Sequence, residues 1–465
     1  MVEASAEVYT SLKQTFKGDL LRPGDDGYQD ARTIWNGLVA RTPGLIACCA
    51  DTADIQSAVR AASAIGIQTA IRCGGHSLAG FSTCDDGLVI DLSRMREVVV
   101  DAEARRARIA GGCLLGSIDT ATQTAGLVFP SGVVSHTGAA GLILGGGTGW
   151  LTRRFGLSCE NVEGFTLVTA DGSIVHASAN ANDDLFWALR GGGGNFGVVT
   201  EFQLRLHPLT HVSLVEGLSR ETRIRPLLRY WRDFMPEAPL DLKWNISLRL
   251  AQANTSANLG SSAVAGNSLI WTGAAENAQS YFEQATPFFT PGTISTKTLS
   301  YLQLQTMADS EFPHGGRYYT KSGYFSELGN ATIDRMAEAI ATSPSPGVQI
   351  ELAYLGGAAA QVAASETAFG DRSAPFIMNL LAGWSEAHDD DKHISWVRAL
   401  FNQLRPAMKP GVYTNFMSGD EQDRTREAYQ ERWERLVAVK SHYDPTNFFR
   451  LNQNIPPRNS SKAGK

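Results

Sequence analysis

The chain lacks most of the features that assign a chemistry at sight. Its six cysteines all stand before residue 160, with no CxxC pair and no framework spacing. That speaks against zinc and disulfide scaffolds and for reduced thiols in a cytoplasmic protein. Nine histidines are scattered without a ligand spacing, so no metal is expected. The one dense patch, His388, Asp389, Asp390, Asp391 and His393, reads as a solvated loop. No G-x-S-x-G elbow supports nucleophilic hydrolysis, and no GK[ST] completes a P-loop. A formal net charge of −6 leaves no basic footprint for nucleic acid. No apolar run approaches the ~20 residues of a membrane span. The first residues, "MVEASAEVYTSLKQTFKGDLL", are acidic early and have no apolar core, so neither secretion nor a membrane partner is expected.

Glycine, by contrast, is abundant: there are 46, concentrated between Gly111 and Gly197. A backbone so free of side chains is built to come close to something. With 465 residues the chain exceeds the ~250–300 at which single cores split, so two domains are expected. From about residue 36 to 208, short strands alternate with small helices. "DTADIQSAVRAASAIG" reads as a helix with Asp51 or Thr52 near its N-cap and Gly66 at its end. "VEGFTLVTADGSIVHAS" reads as a hairpin. The texture is α+β rather than a regular βαβ series. Beyond His207-Pro208, longer helical patterns alternate with strands such as "LKWNISLRLA", "GVQIELAYLGGA" and "APFIMNLLAGW", which suits an antiparallel sheet with helices on one face. The stretch "REAYQERWERLVAVKSHYDPTNFFRLNQNIPP" reads as a helix, an Asp-Pro turn and an Asn-rich end.

Two stretches invite chemistry. "IRCGGHSLAG" sets His76 behind two glycines after a strand, where it could serve as ligand, base, covalent attachment point or plain loop residue. "GAAGLILGGGTGWLTRRFG" is no dinucleotide fingerprint, because its glycines miss the GxGxxG register. It remains an amide-lined wall able to wrap phosphates or a flat ring, or simply a tight packing of loops.

Taken together and in order, "RCGGHSLAG", "FPSGVVSHTGAAGLILGGGTGWLTRRFGLSCENV", "DLFWALRGGGGNFGVVTEFQL" and "YDPTNFFRLNQNI" resemble the berberine-bridge-enzyme-like branch of the vanillyl-alcohol-oxidase superfamily of FAD-linked oxidases. Within it the chain is most similar to bacterial-type members such as 6-hydroxynicotine oxidases. The resemblance implies a two-domain α+β fold of the PCMH type. An FAD domain would take residues 1–208, with 420–465 returning to it, and an antiparallel-sheet substrate domain would take 209–419.

By the same resemblance, His76 matches the histidine bonded to the flavin 8α-methyl carbon. Arg72, Gly74, Gly75, Ser77 and Leu78 match the loop on the FAD pyrophosphate. Ser135, Gly138, Gly141, Gly145, Gly146 and Gly149 would continue the cofactor wall, joined by Val198, Asn452 and Asn454. Bicovalent relatives carry a cysteine where this chain has Val134, and Cys159 belongs to another segment, so one covalent link is expected. On the substrate side, "GVYTNFMSGDE" makes Tyr413 the candidate base and Asn415 a positioning group. Period two puts Gln349 and Glu351 on one strand face, and likewise Tyr319 and Lys321. Lys321 near a phenol would lower its pKa.

The implied function is hydride removal from an alcohol or amine carbon of a small organic substrate to flavin N5. Dioxygen would reoxidise the flavin to give hydrogen peroxide, in a monomer or homodimer. A dehydrogenase with another electron acceptor is the first alternative, and a flavin-holding scaffold without turnover the second. Tyr413, Glu351 and Lys321 argue against the scaffold.

Overall fold

The computed structural model describes residues 2–252 and 262–458. Three large sheets organise them, with a two-stranded pair of Leu127–Val128 and His207–Pro208 beside them. The first is four-stranded, with Leu45–Cys48, Leu88–Asp91 and Thr69–Arg72 paired in parallel and Asp19–Leu21 added antiparallel at one edge. Its crossover is the helix Thr52–Ile65, capped by the Asp51 carboxylate on the Ala53 and Asp54 amides and stopped by Gly66 in the left-handed region. The parallel core is thus one right-sized βαβ unit inside an otherwise mixed domain. A second, five-stranded antiparallel sheet runs Val98–Asp101, Arg106–Ala110, Val198–Arg205, Val162–Val168, Ile174–Ser178 in spatial order.

The third sheet has seven antiparallel strands: Ser295–Ser300, His211–Arg220, Ala263–Trp271, Leu242–Leu250, Val348–Tyr354, Phe376–Trp384 and Arg317–Phe325 in spatial order. Its two faces differ. Trp244, Ile246, Leu248, Ile350, Leu352 and Met378 pack with Trp231, Ile333 and Val397 of three covering helices. Each such side chain contributes roughly 1.5–3 kcal/mol by leaving water. The alternate positions carry Asn245, Ser247, Gln349, Glu351 and Asn379, which period two turns to the opposite face of the sheet.

The C-terminal stretch does not run as one helix. Helices Thr425–Tyr429 and Trp433–Tyr443 are separated where Gln430 takes a φ of 47° and donates its side-chain amide to the Pro410 carbonyl. Beyond them Phe448 and Phe449 enter the core that holds Leu45, Ile90 and Val198. Lys440 ties this return: fully buried, it donates to the Asp444 carboxylate at 2.6 Å and to the Asn195 and Phe449 carbonyls. Asp444 in turn accepts from the Phe448 and Phe449 amides.

Candidate active site

A cavity of about 380 Å³ lies between the glycine-rich segments and the polar face of the seven-stranded sheet. Its floor is backbone. Gly74 and Gly138 approach so closely that a Cβ on either would stand 2.3 Å from the other's amide nitrogen. Gly75 takes a φ of 71°, open to glycine at little cost. This turn delivers His76, Ser77 and Leu78 to the cavity.

At Gly141 and Gly194, which also line it, a Cβ would meet nothing within 4 Å and would project into free space. Three polar side-chain atoms among its walls, Ser82 Oγ, Asn379 Oδ1 and Asn452 Oδ1, are buried with no hydrogen-bond partner among the described residues. No lysine or arginine lines the cavity among the described residues. A long, flat, polar-edged cofactor with a phosphate linkage fits this set, with amides rather than side-chain cations facing the phosphates.

His76 stacks on Trp35 with ring centroids 4.5 Å apart, and Trp35 stacks on Tyr318 at 4.1 Å. Its Nε2 lies 2.7 Å from His136 Nδ1, and His314 adds a third imidazole 4.7 Å from His136. The three could be taken for a metal centre. However, tetrahedral ligands about 2.0–2.1 Å from a zinc ion stand roughly 3.3 Å apart, and 2.7 Å is the distance of a shared proton. Burial, with the neighbouring imidazoles, pushes the His76 pKa down to about 2, so the ring is neutral.

Opposite, Tyr413 and Glu351 both reach the cavity. The Tyr413 hydroxyl accepts hydrogen bonds from the Gly147 amide at 3.0 Å and the Asn415 side chain at 2.9 Å. Burial nevertheless pushes its pKa up to about 12. The Glu351 carboxylate accepts from the Asn379 side chain at 2.9 Å and enters no ion pair among the described residues. Burial raises its pKa to about 7.

Other expected residues sit elsewhere. Arg72 is buried in an ion pair with Asp91 at 2.6 Å and also donates to the Ala31 carbonyl. Ser135 gives both its amide and its hydroxyl to Asp309. Gly145 and Gly138 line the cavity, whereas Gly146 packs against the Phe369 ring and Gly149 against the Ser131 carbonyl. Val198 and Asn452 line it; Asn454 does not, and Gln453 does. Gln349 shares the face of Glu351 but accepts from Ser247 at 2.6 Å. Tyr319 and Lys321 do share a face, but it is the other one. Both bond to Asp420, at 2.7 and 3.0 Å, while Thr320 lines the cavity. Lys321 therefore does not touch Tyr413.

Sequence reasoning missed Trp35, His136 and Asn379. The last was visible as the lone amide in "FIMNLLAGW", and His136 as a second histidine within a motif already quoted.

Residues 43–178 match the FAD binding domain family, and residues 412–456 the berberine and berberine-like family. An FAD-linked oxidoreductase of Dictyostelium discoideum is 30% identical over 458 residues, covering 97% of this chain and 98% of its own. The (R)-6-hydroxynicotine oxidase of Paenarthrobacter nicotinovorans is 38% identical over 205 residues, 44% of each chain. Among solved structures, 6-hydroxy-D-nicotine oxidase from Arthrobacter nicotinovorans superposes with a TM-score of 0.85 at 27% identity, covering 95% of this chain and 98% of that one.

Proposed function

We propose, for a chain that belongs to the berberine-bridge-enzyme-like family of FAD-linked oxidoreductases, that it is an oxidase of a small alcohol or amine whose base is Glu351. The observation that carries this is a carboxyl group with a pKa near 7, inside the cavity that fits the cofactor and without a cationic partner. Such a group is half ionised at neutral pH and suited to proton transfer. Tyr413 is the stronger expectation from sequence, but a phenol pushed up to about 12 holds its proton. With its oxygen already accepting two N–H groups, its own O–H is left to donate to the substrate.

FAD, when bound, supplies the hydride acceptor and passes the electrons to dioxygen as hydrogen peroxide. The chain's own residues do the rest. Glu351 takes the substrate's O–H or N–H proton. Tyr413 and Asn379 orient the substrate, and Leu381, Phe312 and Phe416 keep water away from it. His76 provides the single covalent anchor, since Val134 offers no thiol and Cys159 is wholly buried outside the cavity. The FAD domain comprises residues 1–208 with 420–465, and the substrate domain 209–419. Support comes from the tail entering the Leu45–Ile90 core while the seven-stranded sheet lies between. Six unpaired cysteines support a reducing, cytoplasmic setting.

The test is a screen of aromatic alcohols, N-heterocyclic amines and sugars for peroxide release. Anaerobic bleaching and reoxidation in air should be followed for each hit. Bleaching by a substrate with no recovery in air would make the protein a dehydrogenase, and bleaching by none a flavin holder.

A further inference from the structure

We infer that His136 is the positioning base for the attachment of the flavin to His76: it fixes which nitrogen of His76 is free to bond, and it removes the proton that bonding displaces. The inference rests on the single-anchor reading above and goes beyond it by naming the group that makes the anchor reactive.

The geometry starts from the 2.7 Å contact between His76 Nε2 and His136 Nδ1. One of these nitrogens carries the shared hydrogen. The Asp309 backbone carbonyl lies by the His136 ring and favours a proton on it. With Nδ1 turned to His76, the nitrogen left for that proton is Nε2, and a neutral ring protonated there has its lone pair at Nδ1. His76 is then the donor through Nε2–H, and its own Nδ1 keeps the lone pair. The unshared nitrogen is the nucleophile.

The arrangement is held from both sides. Asp309 is fixed by the amide and hydroxyl of Ser135, the residue before His136. The plane of His76 is fixed by Trp35, whose own indole N–H donates to the Phe312 carbonyl at 2.9 Å. Burial lowers the pKa of both imidazoles, so each is neutral when the step occurs.

The step balances as follows. A bond forms between His76 Nδ1 and the methyl carbon at flavin C8, and one C–H bond of that methyl breaks. The methyl loses a proton, and His76 passes its Nε2 proton to His136, so the alkylated ring ends neutral. The two electrons of the broken C–H bond remain on the flavin. Dioxygen removes them together with the two protons as hydrogen peroxide. Without His136, bond formation would leave a buried, unpaired imidazolium, which is strongly disfavoured.

The experiment compares wild type, His136→Ala and His136→Asn, expressed and purified alike and then incubated with added FAD. Covalent flavin is read by intact mass and total flavin by absorbance. Wild type should be linked as purified. His136→Ala should hold FAD without a bond and link at least ~10²-fold more slowly, the lower end for loss of a general base. Added imidazole should restore the rate. His136→Asn accepts the Nε2–H but cannot take its proton, so it should bind FAD normally and still link slowly. It decides the matter if the alanine variant does not fold. Linkage in either variant at the wild-type rate, or failure of imidazole to rescue a folded, FAD-bearing His136→Ala, overturns the inference and leaves the anchor reading intact. Wild type without covalent flavin would instead overturn the anchor reading itself.

Discussion

The two walls of the cavity are made in opposite ways. One is backbone, in which Gly74, Gly75, Gly138 and Gly141 act by leaving room. The other is side chain, with one polar residue per strand: Thr320, Glu351 and Asn379 on three neighbours of the seven-stranded sheet. The first wall lies in short continuous segments, so its composition is itself the mark of its task. The second is assembled only by strand pairing, where Glu351 stands opposite Asn379 although 28 residues separate them. A wall that binds a common cofactor can be written contiguously. A wall of polar side chains is spread over strands whose other residues serve the core.

If the sheet wall carries the chemistry, Glu351→Gln should give the largest kinetic effect. Flavin reduction should slow by ~10²–10⁴-fold at pH 7. In wild type the rate should rise about tenfold per pH unit below 7 and level off above it, and the variant should lose that limb. Stability runs the opposite way. With its folded pKa raised from the ordinary 4.5 to about 7, Glu351 contributes stability below pH 4.5 that is lost as pH rises through 7. The Gln variant should therefore melt higher than wild type at pH 8.

Lys440→Met tests the backbone wall through its fastening. It leaves the Asp444 carboxylate buried without its cation, at a cost of about 3–5 kcal/mol. Denaturant unfolding should show this loss, with the flavin absorbance changing at lower denaturant. Tyr413→Phe removes the acceptor of two N–H groups and the donor to substrate, and should slow reduction by roughly 10–10²-fold, in line with ~1–3 kcal/mol for unpaired donors. Lys321→Met should change stopped-flow reduction by less than about threefold, because its partners Asp420 and Glu421 lie away from the cavity. A large effect there would erase the difference between the two faces of the Arg317–Phe325 strand.

What the sequence made legible follows from the same contrast. His76, Gly74, Gly75, Ser77 and Leu78 were readable because a short loop places them all. In "GVQIELAY" the apolar Val348, Ile350 and Leu352 mark the core face, so Gln349 and Glu351 had to lie opposite. In "RYYTKSGYF" both faces carry polar and aromatic residues. Period two therefore paired Tyr319 with Lys321 but could not say which way they point. Arg72 was misleading for another reason: a cation beside a phosphate loop suggests a phosphate ligand, but the carboxylate of Asp91, on the paired strand, already claims it. The rank of Tyr413 and Glu351 was beyond sequence, because it depends on how completely each is buried.

The tail's return to the first core has a consequence in time as well as space. His76 lies in the early part of the chain and Asn452 near its end, yet both line one cavity. On a ribosome adding about 5–20 residues per second, roughly 20–75 s separate their synthesis. Through that interval the first core has no Phe448 and Phe449, and the glycine segment at Asn195 has no Lys440. The cavity can therefore close only after translation has passed the last strand of the seven-stranded sheet. Completion of the cavity is a late event in the life of the chain, and a ribosome stalled in the final helix would leave the His76 loop made and the wall at Asn452 missing.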